Sequence, residues 1–144
     1  MIVQQIMKSK AAGGVVTIGP EAGLGAAVAA MAERRIGALV VSRTGTDVEG
    51  IVSERDIVRE LAAQGPGCLG RRVAEVMTRA IVTCAPADTA QSVLERMTEG
   101  RFRHMPVVEG GEMVGLISIG DVVKARLDEL AAEKDALEGM IKGF

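Results

Sequence analysis

Tryptophan and tyrosine are absent from this 144-residue chain, and its only aromatic side chains are Phe102 and Phe144. That removes the stacking platforms on which single-strand nucleic-acid binders hold bases, so any base bound here lies between aliphatic side chains. Histidine occurs once, at His104. With one imidazole and no Walker-type glycine loop or metal-ligand cluster, the chain lacks the usual means of nucleophilic or phosphoryl-transfer chemistry, and no catalytic residue and no metal are expected. The two cysteines, Cys68 and Cys84, have neither CxxC nor Cys/His spacing and read as free thiols in a reducing compartment. Neither sign of charge dominates: 17 basic residues face 19 acidic ones for a formal charge of −2. Such a balance gives no broad attraction to nucleic acid or to an anionic membrane. Residues Met1 to Lys10 lack the pattern of an export signal, and the weakly charged stretch from Ala11 to Ala32 is interrupted by Pro20 and Glu21, which disqualifies it as a membrane span. A cytoplasmic location is expected.

What the chain does have is a repeat. Val3-Gln4-Gln5-Ile6-Met7 returns as Val73-Ala74-Glu75-Val76-Met77; Val16-Thr17 before Pro20 returns as Val82-Thr83 before Pro86; Gly50-Ile51-Val52-Ser53-Glu54-Arg55-Asp56-Ile57 returns as Gly115-Leu116-Ile117-Ser118-Ile119-Gly120-Asp121-Val122. The order is preserved and the offset drifts only by loop-sized steps, so the chain is two copies of one supersecondary unit. With 48% hydrophobic and 25% charged residues it is apolar enough to fold, and each half alone is near the size at which a core becomes marginal. The halves are therefore expected to share an interface.

Local patterns give each repeat the order strand, helix, strand, turn, strand, helix. The β-branched runs Val15 to Ile18 and Ala80 to Thr83 read as first strands. Leu24, Ala27, Val28 and Met31, and again Ala90, Val93, Leu94 and Met97, fall at helical spacing, with Asp88 as N-cap of the second helix. Hairpins follow around Thr44-Gly45-Thr46-Asp47 and Glu109-Gly110-Gly111-Glu112, and each leads into a helix, one from about Ser53 to Ala63 and one from about Ser118 onward. Gln64-Gly65-Pro66-Gly67 closes the first half. The expected division is repeat 1 over 1–69, repeat 2 over 70–127 and a helical extension over 128–144.

The doubled Ser-x-x-Asp carries the chemistry. A serine where an apolar strand becomes a helix sets its hydroxyl beside free backbone N–H groups, where the helix dipole favours an anion such as phosphate. An aspartate three residues on can accept two hydrogen bonds from vicinal hydroxyls, as ribose presents them. The same residues also spell a capping box, in which serine and acid satisfy the helix terminus and nothing else. Recurrence after the same strand favours a ligand role for Ser53, Asp56, Ser118 and Asp121.

GIVSERDI and GLISIGDV, the two Val-x-x-Ile/Val-Met lead-ins and the His104-Met105-Pro106-Val107 strand resemble the CBS (cystathionine-β-synthase-type) domain family over about residues 1 to 127. The resemblance implies an α/β fold of two β-α-β-β-α repeats packed with pseudo-twofold symmetry, here with a C-terminal helix added. Paired CBS repeats look like the Bateman module, which has two clefts that commonly hold AMP, ADP, ATP, NAD or S-adenosylmethionine. By that resemblance Thr17 and Thr83 lie near the base end of each cleft, and Arg103 and His104 face phosphate. Val16, Ile18, Val82 and Met105 read as core. Arg55 stands where repeat 2 has Gly120, and Arg103 and His104 stand where repeat 1 has Gly37 and Ala38. The cleft of Asp56 is thus expected to gather cations and that of Asp121 to have none.

The resulting expectation is a regulatory module that binds an adenine nucleotide and acts on an unknown effector protein; a ligand-free dimerisation unit and an enzyme are the alternatives. Val123, Leu127, Leu130, Lys134, Leu137 and Ile141 alternate spacings of four and three, the stripe of a short coiled-coil seam, and a homodimer is expected.

Overall fold

The computed structural model describes residues 1–10 and 14–142. Residues 11–13 at the start of the Gly/Ala-rich stretch, and the end of the expected extension with Phe144, lie outside them. In chain order the elements are α1 (Val3–Ser9), β1 (Thr17–Ile18), α2 (Leu24–Arg34), β2 (Ala38–Val41), β3 (Gly50–Ser53), α3 (Glu54–Gln64), a 3₁₀ turn (Pro66–Gly70), α4 (Val73–Val76), α5 (Ala90–Gly100), β4 (His104–Glu109), β5 (Glu112–Ser118) and α6 (Ile119–Ile141). Repeat 1 forms a sheet in the order β1-β2-β3, with β1 parallel and β3 antiparallel to the fully buried β2. Repeat 2 forms the hairpin β4-β5, with a bulge between Val107 and Val108.

Three local expectations are corrected. The first strand of repeat 1 shrinks to Thr17–Ile18, and Ala80 to Thr83 form no strand: repeat 2 keeps only a parallel bridge from Cys84 to Val107. That bridge is the counterpart of Ile18 beside Val41. The N-cap of α5 is Thr89, whose hydroxyl accepts from the Ser92 N–H at 3.1 Å. Asp88 accepts instead from the Ala85 N–H and pairs with Arg96.

The halves are interlaced. α1 opens the chain, yet Val3 and Ile6 are buried in the core of repeat 2 with Val93, Met97, Met105 and Ile117. α4 opens repeat 2, yet Val73 and Met77 complete the core of repeat 1 with Leu24, Leu39 and Val52. The docking bonds are equivalent: the Val3 N–H donates to the Asp88 carbonyl at 2.8 Å, and the Val73 N–H to the Ala22 carbonyl at 2.7 Å. Neither core closes without a helix from beyond its own repeat, which is how two marginal halves obtain one stable interior.

The exchange explains the glycine that begins each motif. A Cβ on Gly50 would stand 2.8 Å from the Thr78 carbonyl oxygen and 2.7 Å from the Met77 sulfur; one on Gly115 would collide with the Met7 sulfur. Each lead-in methionine lies across the hairpin glycine of the core it completes.

Candidate functional site

The last strand of each repeat, β3 or β5, delivers its serine to the start of a helix, and both junctions open onto one groove of about 970 Å³ between the repeats. Ser53 caps α3: the Asp56 N–H donates to its hydroxyl at 3.4 Å, and the Ser53 N–H returns a bond to Asp56 Oδ2 at 2.9 Å. Ser118 caps α6 likewise, with 3.2 Å from the Asp121 N–H to its hydroxyl and 2.8 Å from the Ser118 N–H to Asp121 Oδ2. The capping reading therefore holds at both junctions, and both aspartates line the groove as well.

Beyond the caps the two carboxylates differ. Asp56 is buried, and its Oδ1 accepts from the Thr78 hydroxyl at 3.1 Å. Asp121 is half-buried and pairs through Oδ2 with Lys10 at 2.9 Å. Burial disfavours ionisation of Asp121, but the Ser118 backbone N–H and the Lys10 ammonium together outweigh it and hold the carboxyl below its ordinary value. At His104 burial prevails and depresses the pKa, against the pull of Asp121.

Of the residues expected from sequence, Ser53, Arg55, Asp56, Arg103, His104, Ser118 and Asp121 all line the groove. Thr17 and Thr83 are not brought to it: Thr17 pairs with Val40 in the sheet, and the Thr83 carbonyl accepts from Arg96 at 2.9 Å. Val82, expected in the core, is exposed and lines the groove; Val16 packs against the core of repeat 1 and lines the groove as well, and Met105 is fully buried. Arg35, Arg59 and Arg101 join Arg55 and Arg103 on its walls, and among the described residues none of these five guanidiniums has an ion-pair partner. Sequence reasoning missed Lys10 and Thr78. Both follow closely on the lead-in methionines, and that position was the available signal. The expected absence of cations on the Asp121 side is corrected by Lys10, which arrives from α1 through the exchange of lead-in helices.

Among the described residues no group of three or more His, Cys, Asp or Glu side chains is placed to hold a metal. The groove instead offers hydroxyl acceptors, helix N-termini and cations around an aliphatic wall of Val15, Val16, Ile81 and Val82.

The profile of the CBS domain matches twice, over residues 3–63 and 73–128. The chain belongs to the CBS domain family. A mitochondrial CBS domain-containing protein of Arabidopsis thaliana is 36% identical over 121 residues, which are 81% of this chain and 59% of the plant protein, so the chain spans little more than half of that relative. A CBS-domain protein of Agrobacterium tumefaciens superposes with a TM-score of 0.82 at 43% identity, covering 87% of this chain and 92% of that one. A CBS domain pair solved with 5′-methylthioadenosine and S-adenosyl-L-methionine shares the fold at a TM-score of 0.77, with 19% identity and coverage of 90% of this chain and 98% of that one. The interlaced halves described above are thus the architecture of a CBS pair, with the C-terminal helix added.

Proposed function

We propose that this CBS pair is a regulatory module whose groove binds an adenine nucleotide, AMP, ADP, ATP or NAD, and passes its occupancy to a partner protein without catalysing a reaction. The observation that carries this reading is the pair of capped aspartates facing one groove whose walls hold five arginines that have no ion-pair partner among the described residues. A carboxylate is an acceptor for vicinal hydroxyls, and guanidiniums near two helix N-termini attract phosphate. The aliphatic wall suits a base in a chain without tyrosine or tryptophan. The related pair that binds two adenosine derivatives supports the ligand class to test first. The site requires no metal in this reading.

Calorimetry with AMP, ADP, ATP, NAD and S-adenosylmethionine tests it. Micromolar binding of at least one adenine nucleotide is expected, and weaker binding after Asp56→Ala or Asp121→Ala. If none of the panel binds at millimolar concentration, the module is not an adenosine sensor.

The reading includes a homodimer. Leu127, Leu130 and Leu137 on α6 are 61%, 49% and 60% exposed, more apolar surface along one helix than a monomer ordinarily shows to water. Truncation after Arg126 is expected to shift sedimentation towards monomer; a full chain already monomeric at micromolar concentration would rule the dimer out. Among the described residues no helix is long and apolar enough to cross a membrane, and a cytoplasmic site of action is part of the proposal.

A further inference from the structure

Equivalent atoms in the two halves of the groove are satisfied by different chemistry. On the Asp56 side Thr78 supplies two neutral donors: its backbone N–H reaches the Ile51 carbonyl at 2.8 Å and its hydroxyl reaches Asp56 Oδ1 at 3.1 Å. The counterparts of Ile51 and Asp56 in the repeat are Leu116 and Asp121. There one group does both tasks, because the Lys10 ammonium donates to the Leu116 carbonyl at 2.8 Å and pairs with Asp121 at 2.9 Å. A cation thus stands where the other half has an amide and a hydroxyl. The Lys10 side chain is itself 38% exposed, but both of its bonds are made to residues of the groove wall, and the Asp121 carboxylate is 24% exposed.

We infer that Lys10 is a specificity-determining residue, which makes the Asp121 half of the groove select ligands carrying an anionic group over neutral or cationic adenosine derivatives. This rests on the groove binding an adenosine ligand, as proposed above. Hydroxyls that engage Asp121 compete with the ammonium for the same carboxylate. A phosphate on the ligand gives the ammonium a second counter-charge; a neutral nucleoside gives it none, and a sulfonium repels it. Exchanging an amide and hydroxyl for an ammonium therefore converts a seat indifferent to charge into one that reads it. The Asp56 half, bonded by Thr78, does not take its charge preference from this position.

Methyl NMR separates the halves, with Ile51 reporting on the Asp56 side and Leu116 on the Asp121 side. AMP and adenosine are titrated into the full-length wild type, Lys10→Gln and Lys10→Arg. At Leu116 the preference for AMP over adenosine is expected to fall about tenfold in Lys10→Gln and to be kept in Lys10→Arg, a change of the size one charge-assisted hydrogen bond produces. At Ile51 the preference is expected to stay the same in all three proteins. An unchanged preference at Leu116 in Lys10→Gln overturns the inference, as does an equal fall at both reporters or a Leu116 site that binds neither ligand while Ile51 responds. Silence of both reporters towards both ligands in the wild type overturns the binding reading and this inference with it.

Discussion

The Asp56 and Asp121 halves share a strand, a cap and a carboxylate, and differ in what stabilises that carboxylate. Asp56 is buried under a threonine hydroxyl and the backbone of the segment after α4; Asp121 is half-buried under a lysine that folds back from α1. The strand-to-helix junction tolerates little change, since the same two residues must satisfy the first turn of the helix. The third donor comes from the exchanged lead-in segment, which only has to bring some donor within reach, and there the repeats have diverged. A doubled motif therefore marks two sites of one architecture without making them chemically equal.

The comparison breaks most visibly at the aspartates. Asp56→Ala and Asp121→Ala combined are expected to cost roughly 2 to 4 kcal/mol of nucleotide binding per site, read by calorimetry on a protein that circular dichroism finds folded. Each substitution also removes half of a capping box, so a stability loss of about 1 kcal/mol accompanies it. Full affinity in the folded double variant would mean that both aspartates act only as caps.

The two motif glycines should differ in the same sense. A methyl at Gly50 meets the Thr78 carbonyl, which is backbone bonded to Ile51 and cannot yield; at Gly115 it meets the end of the flexible Met7 side chain. Urea unfolding is expected to show a loss of about 3 kcal/mol for Gly50→Ala and about 1 kcal/mol for Gly115→Ala. Equal losses would indicate that the Asp121 half is packed as rigidly as its counterpart.

Acid sharpens the contrast further. The folded pKa of His104 lies below its ordinary 6.5, so between those two values the unfolded chain binds more protons and stability falls as pH falls. Asp121 lies below its ordinary 3.8, so its contribution is present above that value and is lost as pH drops through the folded pKa. Urea midpoints should thus decline in two steps. His104→Gln is expected to erase the upper step and Asp121→Asn to reduce the lower one. An upper step that persists in His104→Gln would assign it to another group.

These contrasts mark what the sequence made legible. GIVSERDI and GLISIGDV disclosed the junctions because a serine cap, an apolar strand and an acid three residues on are local features whose geometry the backbone enforces. Asp88 and Thr89 stand side by side before α5 and either type suits the cap; Thr89 takes it, and Asp88 pairs with Arg96 on the following helix. The run Ala80 to Thr83 has strand composition, yet Ala80, Ile81 and Val82 line the groove, and pairing begins only at Cys84. Lys10 and Thr78 were illegible for a deeper reason. Their role depends on each lead-in helix docking on the core of the other repeat, which is tertiary exchange with no local sign. The five arginines come from both repeats and from several elements, and only the groove gathers them.

The smallest expected effect belongs to the first-strand threonines. Thr17 is tied into the sheet beside Val40, and Thr83 is exposed with its carbonyl held by Arg96, while the neighbours Val16 and Val82 line the groove. The groove wall is made by Val15 with Val16 and by Ile81 with Val82, and in each segment it stops short of the threonine that follows. Thr17→Val and Thr83→Val are therefore expected to change nucleotide affinity by less than about twofold, with Thr17→Val neutral or slightly stabilising because valine suits a half-buried strand. Val82→Asp, which sets a carboxylate on the aliphatic wall, should by contrast weaken nucleotide binding by more than either threonine variant. A tenfold loss from Thr83→Val would mean that the ligand reaches past Val82 to the next residue, and that the groove extends beyond its aliphatic wall.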